Sequence, residues 1–105
     1  MIDVRAHLAR KPLLFDGGMG TYYKAKPGTE CEQGNLLDPA GVRKVHREYL
    51  AAGAEAIKTN TFGLPRMAAA RQPGWQALAR AGWKLAAEAA AETGAAVFAD
   101  LGPAP

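Results

Sequence analysis

The chain has 105 residues, with 13 Lys and Arg against 10 Asp and Glu and a formal charge of +3. Of its 51 apolar residues (49%), 23 are Ala and only six are Val or Ile, too few β-branched side chains to line an antiparallel sandwich or barrel. The regular recurrence of Leu, Phe, Tyr and Trp at small net charge excludes disorder, and no apolar run approaches the roughly 18 residues of a transmembrane span.

The first residues, through Phe15, carry scattered charges and no apolar stretch of signal-peptide type, so the expected compartment is the cytoplasm, with no membrane partner. Val4 to Arg10 is amphipathic and predicts a helical turn or two ahead of Pro12. Leu13 to Asp16 then reads as a short buried strand running into Gly17-Gly18-Met19-Gly20. That glycine cluster lacks the Gly-Lys-Ser/Thr ending of a phosphate loop and the G-x-G-x-x-G spacing. Taken alone, it is a tight turn before it is a nucleotide site.

Lys24 and Lys26 share the loop that follows, and Arg43, Lys44 and Arg47 share a helix with Glu48. No nucleic-acid-binding motif accompanies these charges, so no nucleic-acid partner is expected. The lone cysteine, Cys31, lies in a polar loop with no base beside it. It excludes an internal disulfide and cannot by itself make a zinc site.

Asp38 as N-cap and Pro39 at the first helical position open a helix. Val42, Val45, Tyr49 and Leu50 fall on one face, Arg43, Lys44, Arg47 and Glu48 on the other, and Gly53 closes it. His46 stands at the edge of the apolar face, where packing or capping is favoured over catalysis. Ala56 to Asn60 predicts a second strand, followed by Thr61, Phe62 and Gly63.

A second helix runs from about Gln72–Trp75 to Thr93, with Trp75, Leu78, Ala79, Gly82, Leu85, Ala86 and Ala89 facing inward. Gln76, Arg80, Lys84, Glu88 and Glu92 form its solvent stripe, and Gly94 caps it. Ala96 to Asp100 is the third strand.

The equivalents recur at a fixed interval. Phe15 to Ile57 is 42 residues, Ile57 to Phe98 is 41, and Gly53 to Gly94 is 41. A strand–helix unit repeated in this way requires parallel pairing and right-handed crossovers. Two helices cannot cover both faces of a three-stranded parallel sheet, although such sheets are normally buried on both. The expected fold class is therefore α/β, the first β-α-β-α-β portion of an incomplete (β/α)8 TIM barrel occupying residues 1–105. Eight such units would total roughly 330 residues, within the range of that fold. A doubly wound sheet without its later strands fits the same pattern.

Ligands of parallel α/β folds bind at the carboxyl ends of the strands. Here those ends carry Asp16, Gly17 and Gly18, then Thr59, Asn60, Thr61 and Phe62, then Asp100. A carboxylate at Asp16 can accept hydrogen bonds from a ligand ammonium, and the Thr and Asn groups can orient a small polar molecule. Read locally, Thr59-Asn60-Thr61 is equally a strand end held for structural reasons.

In order, LLFDGGMGT (13–21), CEQGNLLDP (31–39), VRKVHREYLAAGAEAIKTNTFG (42–63) and VFADLGP (97–103) resemble the N-terminal part of homocysteine S-methyltransferases. This family includes the homocysteine-binding module of methionine synthases and of proteins that join it to a methylenetetrahydrofolate reductase. The resemblance implies a (β/α)8 barrel and transfer of a methyl group to homocysteine sulfur, giving methionine. It implies Asp16 and Gly17 at the amino-acid portion of homocysteine, with Thr59 and Phe62 lining the pocket and Asn60 close by. It also implies a zinc ion held by three cysteine thiolates, which would deprotonate a thiol that is mostly protonated when free.

This chain departs from the family on the metal. The family's zinc cysteines lie in later strands, none is present here, and Cys31 is not assigned to zinc, so the expected set of metal ligands in this chain is empty. Asp100 stands where the family more often has Gly or Ser. The methyl donor is not readable. These residues alone are expected to be inactive and to self-associate through an unpaired sheet edge. The competing expectation is a stand-alone, non-catalytic α/β module that binds a small ligand or a partner protein.

Overall fold

The computed structural model describes residues 2–104, so the two end positions of the expected 1–105 unit lie outside the described residues. Helix α1 spans Val4–Leu8, shorter than the stretch to Arg10 that its amphipathic pattern predicts. Asp3 caps it by accepting the Ala6 N–H at 3.1 Å. Its His7 is buried against Pro12 and Glu55, which ties the helix to the start of the sheet.

Two parallel strands make the sheet, β1 (Ala56–Lys58) and β2 (Ala96–Phe98), with Ile57 opposite Val97. Each is shorter than its predicted segment. The Thr59 N–H still donates to the Phe98 carbonyl at 2.9 Å, the last bond of the ladder. The expected first strand, Leu13–Asp16, is reduced to one parallel bridge between Phe15 and Ala56. It keeps the hydrogen bonds of a neighbour, from Ala56 N–H to Leu14 O and from Asp16 N–H to Ala56 O.

Helix α4 (Pro39–Ala51) precedes β1, and α6 (Trp75–Ala91) lies between β1 and β2. Asp38 caps α4 through the Gly41 N–H at 3.2 Å and also accepts the Tyr23 hydroxyl at 3.0 Å. Gly53 and Gly94 adopt positive φ just beyond the two helices, as the sequence requires. Helix α6 ends at Ala91 rather than Thr93 and begins at Trp75.

One core cluster packs Ile57 of β1 against Leu50 of α4 and Ala86, Ala89 and Ala90 of α6. The alanines let α6 lie close to the strand. A second joins Tyr23, Val42, Val45 and Leu85. Arg43–Glu88 and Arg47–Glu92 bridge the helices outside the core, where exposed pairs contribute little.

Short elements that the sequence pattern does not reveal fill the connections. These are α2 (Met19–Tyr22), a 3-10 turn at Cys31–Gln33, α3 (Gly34–Leu37) and α5 (Leu64–Ala69). They gather at the carboxyl ends of the strands. No helix is long and apolar enough to cross a membrane among the described residues.

Candidate substrate-recognition site

At the carboxyl end of β1 the chain runs Thr59-Asn60-Thr61-Phe62, and each side chain has a separate destination. The Thr59 and Thr61 hydroxyls lie 2.6 Å apart. Thr59 Oγ1 accepts the Asp100 N–H at 3.1 Å, and Thr61 Oγ1 donates to the Asp100 carbonyl at 2.7 Å. The two hydroxyls thus fasten the end of β1 to the segment following β2.

Asn60 is fully bonded. Its amide donates to the Cys31 carbonyl and to Asn35 Oδ1, both at 2.9 Å, while its Oδ1 accepts the Cys31 thiol at 3.3 Å. Asn35 in turn donates to the Asn60 carbonyl at 2.8 Å and to the Leu78 carbonyl of α6 at 3.1 Å. This buried amide pair locks the loop to the helix. Burial, then the neighbouring Glu32 charge, push the Cys31 thiol up to about 11, against the opposing bond to Asn60. At neutral pH it is an unreactive thiol.

Phe62 is 56% exposed. With Met19, Glu32, Thr59, Thr61 and Asp100 it borders a cavity of about 250 Å³. Phe62 and Glu32 also border a wider cleft of about 530 Å³ that reaches Arg66 and Pro103. Glu32 is 8% exposed, and its Oε2 accepts the Gly63 N–H at 3.0 Å. Burial raises the Asp100 carboxyl above its ordinary range; Lys58 opposes this, and Asp16 and Glu32 add to it.

Asp16 and Gly17 lie beside the cavity without lining it. The Asp16 side chain is 3% exposed, and Lys58 engages both of its carboxylate oxygens. The Lys58 N–H donates to Oδ2 at 3.1 Å and Nζ to Oδ1 at 2.7 Å. At Gly17 a Cβ would meet the Tyr49 hydroxyl oxygen at 2.7 Å. That hydroxyl donates to the Gly18 carbonyl at 2.9 Å, so Tyr49 fixes the turn.

The site thus gathers Thr59, Asn60, Phe62 and Asp100 around one cavity, while Asp16 and Gly17, outside its lining, adjoin it through Gly18. Reading the sequence overlooks Lys58, Glu32 and Asn35. For Lys58 a signal exists: Asp16 and Lys58 are 42 residues apart, one repeat, and repeat equivalents become lateral neighbours in a parallel sheet.

A family model for homocysteine S-methyltransferase matches residues 13–105. Among solved structures, the chain is similar to the homocysteine methyltransferase MmuM from Escherichia coli in its metallated form. The TM-score is 0.74 at 25% identity, over 95% of this chain and 41% of that one. The chain therefore spans less than half the length of that relative.

Proposed function

The chain belongs to the homocysteine S-methyltransferase family, and from that premise we propose that it forms the amino-acid-recognising end of a cytoplasmic (β/α)8 enzyme that methylates homocysteine to methionine. In this reading residues 1–105 are the first β-α-β-α-β portion of the barrel domain. The observation that carries it is the cavity of about 250 Å³ at the carboxyl ends of the strands, bordered by the same segments that bear the family's motifs.

At this end of the strands each residue has a distinct task. Asp16, buried beside the cavity, holds the Lys58 side chain at the end that takes the amino-acid portion of homocysteine. Gly17 keeps the backbone bare where Tyr49 packs. Thr59 and Asn60 hold the strand-end loop in shape, and the exposed Phe62 ring walls the aliphatic part of the substrate.

The relative's metallated form and the family resemblance imply zinc for the whole enzyme. The residues here do not fit it. The chain has one cysteine, and among the described residues no group of three or more His, Cys, Asp or Glu side chains is placed to hold a metal. A catalytic zinc needs three protein ligands, so the part assigned to this chain is recognition. The methyl donor, the second substrate, is assigned no residue of this chain.

Titration of the 105-residue chain with L-homocysteine, followed by amide NMR, tests the reading. Weak, saturable binding is expected, with shifts at residues 16–19 and 59–62, several-fold weaker in Phe62→Ala. Incubated with zinc and a methyl donor, the chain is expected to form no methionine and to retain no stoichiometric zinc. Absence of homocysteine binding at saturating concentration, or methionine formation by the chain with bound zinc, would overturn it.

A further inference from the structure

We infer that the Lys58 ammonium is the specificity-determining group for the carboxylate of an α-amino-acid substrate, with the buried Asp16 as the residue that positions it. The inference rests on the reading of this end of the molecule as the homocysteine-recognising site. It assigns a role to a residue outside the set implied by the family.

A ligand ammonium finds little of Asp16 to bind. Both carboxylate oxygens accept hydrogen bonds from Lys58, and the side chain is 3% exposed. The charge presented to solvent at this point is the lysine, whose side chain is 33% exposed. An ammonium carries three N–H donors. One goes to Asp16 Oδ1 at 2.7 Å and one to the Asp16 carbonyl at 3.3 Å. The third has no acceptor among the described residues.

The setting favours an anion at that third donor. Lys58 is the last residue of β1, on the sheet face away from the helices. Its Nζ lies 5.8 Å from the centroid of the Phe15 ring, which packs on Phe98 at 4.9 Å. This aromatic plate restricts hydration of the ammonium and strengthens a charge-assisted bond to it. Lys58 does not itself line the cavity; the next residue, Thr59, borders it, as do the carboxylates Glu32 and Asp100, and Asp100 is near enough for the Lys58 charge to act on it. An amino-acid zwitterion needs a cation for its carboxylate and an anion for its ammonium. Lys58 supplies the first, leaving Glu32 and Asp100 for the second. A simple amine lacking the carboxylate would leave the third lysine N–H without an acceptor, so the site discriminates against it.

The test compares L-homocysteine with its decarboxylated and deaminated analogues on the 105-residue chain, by the same NMR titration. Loss of the carboxylate is expected to weaken binding to the unmodified chain about tenfold or more. Lys58→Arg should keep that preference. Lys58→Met should abolish it, leaving homocysteine and its decarboxylated analogue within about twofold of each other. Because Lys58→Met strands the Asp16 carboxylate, the double variant Asp16→Asn, Lys58→Met serves as a neutral near-isostere. An unmodified chain that binds homocysteine with no preference for the carboxylate overturns the inference, as does a preference that survives in the double variant; either result leaves the homocysteine reading intact. Failure of the unmodified chain to bind homocysteine at all overturns both.

Discussion

His46 shows how one buried side chain couples this fold to pH. It is 0% exposed on α4, and neither ring nitrogen has a hydrogen-bond partner. Burial lowers its pKa from the ordinary 6.5, and the Asp16 charge opposes this as the lesser effect. The folded state therefore holds a neutral imidazole, whereas the unfolded chain takes up a proton below about pH 6.5. More protons bind to the unfolded state there, so the stability contributed by the neutral form is present above that value and lost as pH falls. Thermal melts from about pH 7.5 to about pH 5 should show a falling Tm, and His46→Leu should flatten that fall. Parallel profiles for the two proteins would contradict the assignment. The sequence pattern anticipates a packed His46, because position 46 follows Val45 at the margin of the apolar stripe. It gives no sign that both nitrogens are unpartnered, since that depends on side chains contributed by other elements.

At the scale of elements, α6 and the strand-end loop are fitted to each other at Gly82. Glycine inside a helix is ordinarily about 1 kcal/mol worse than alanine, so Gly82→Ala would stabilise an isolated helix. Here the added Cβ would meet Asn35 Nδ2 at 2.7 Å, Thr61 Cγ2 at 2.8 Å and the Asn60 carbonyl oxygen at 3.2 Å. None of these can retreat cheaply, because Asn35 is held by two carbonyls and the third contact is backbone. Overpacking therefore wins over propensity. Gly82→Ala is expected to destabilise the chain by about 2 kcal/mol, read from urea melts. A variant as stable as the parent would mean that the amide pair is looser than its geometry. The long helices were legible because a cap, a period and a terminal glycine coincide, as at Asp38-Pro39 and Gly53. The four-residue helices α2 and α3 are too short to show a period. The Asn35–Asn60 pair spans 25 residues and follows no repeat, so neither sequence position points to the other.

For the molecule as a whole, the 41-residue repeat gave the lateral order of the segments. The Phe15 bridge, β1 and β2 lie side by side, with Glu55 reaching Leu14 across 41 residues and Asp100 reaching Thr59 across 41. Helices α4 and α6 cover one face of this sheet. On the other face Phe15 is 41% exposed beside the half-buried Phe98. The outer edge of β2 pairs with no strand among the described residues, and the half-exposed Trp83 flanks it, bordering with Val97 a groove of about 260 Å³. A parallel sheet open on one face and one edge presents apolar surface and free backbone donors together, and that combination drives association. The 105-residue chain is therefore expected to self-associate in sedimentation experiments as concentration rises. Trp83→Lys should shift it toward monomer by charging the groove beside the edge strand, without touching the cavity at the strand ends. A monodisperse monomer with one cooperative melt, unchanged by Trp83→Lys, would favour a self-sufficient small-ligand module over one portion of a barrel.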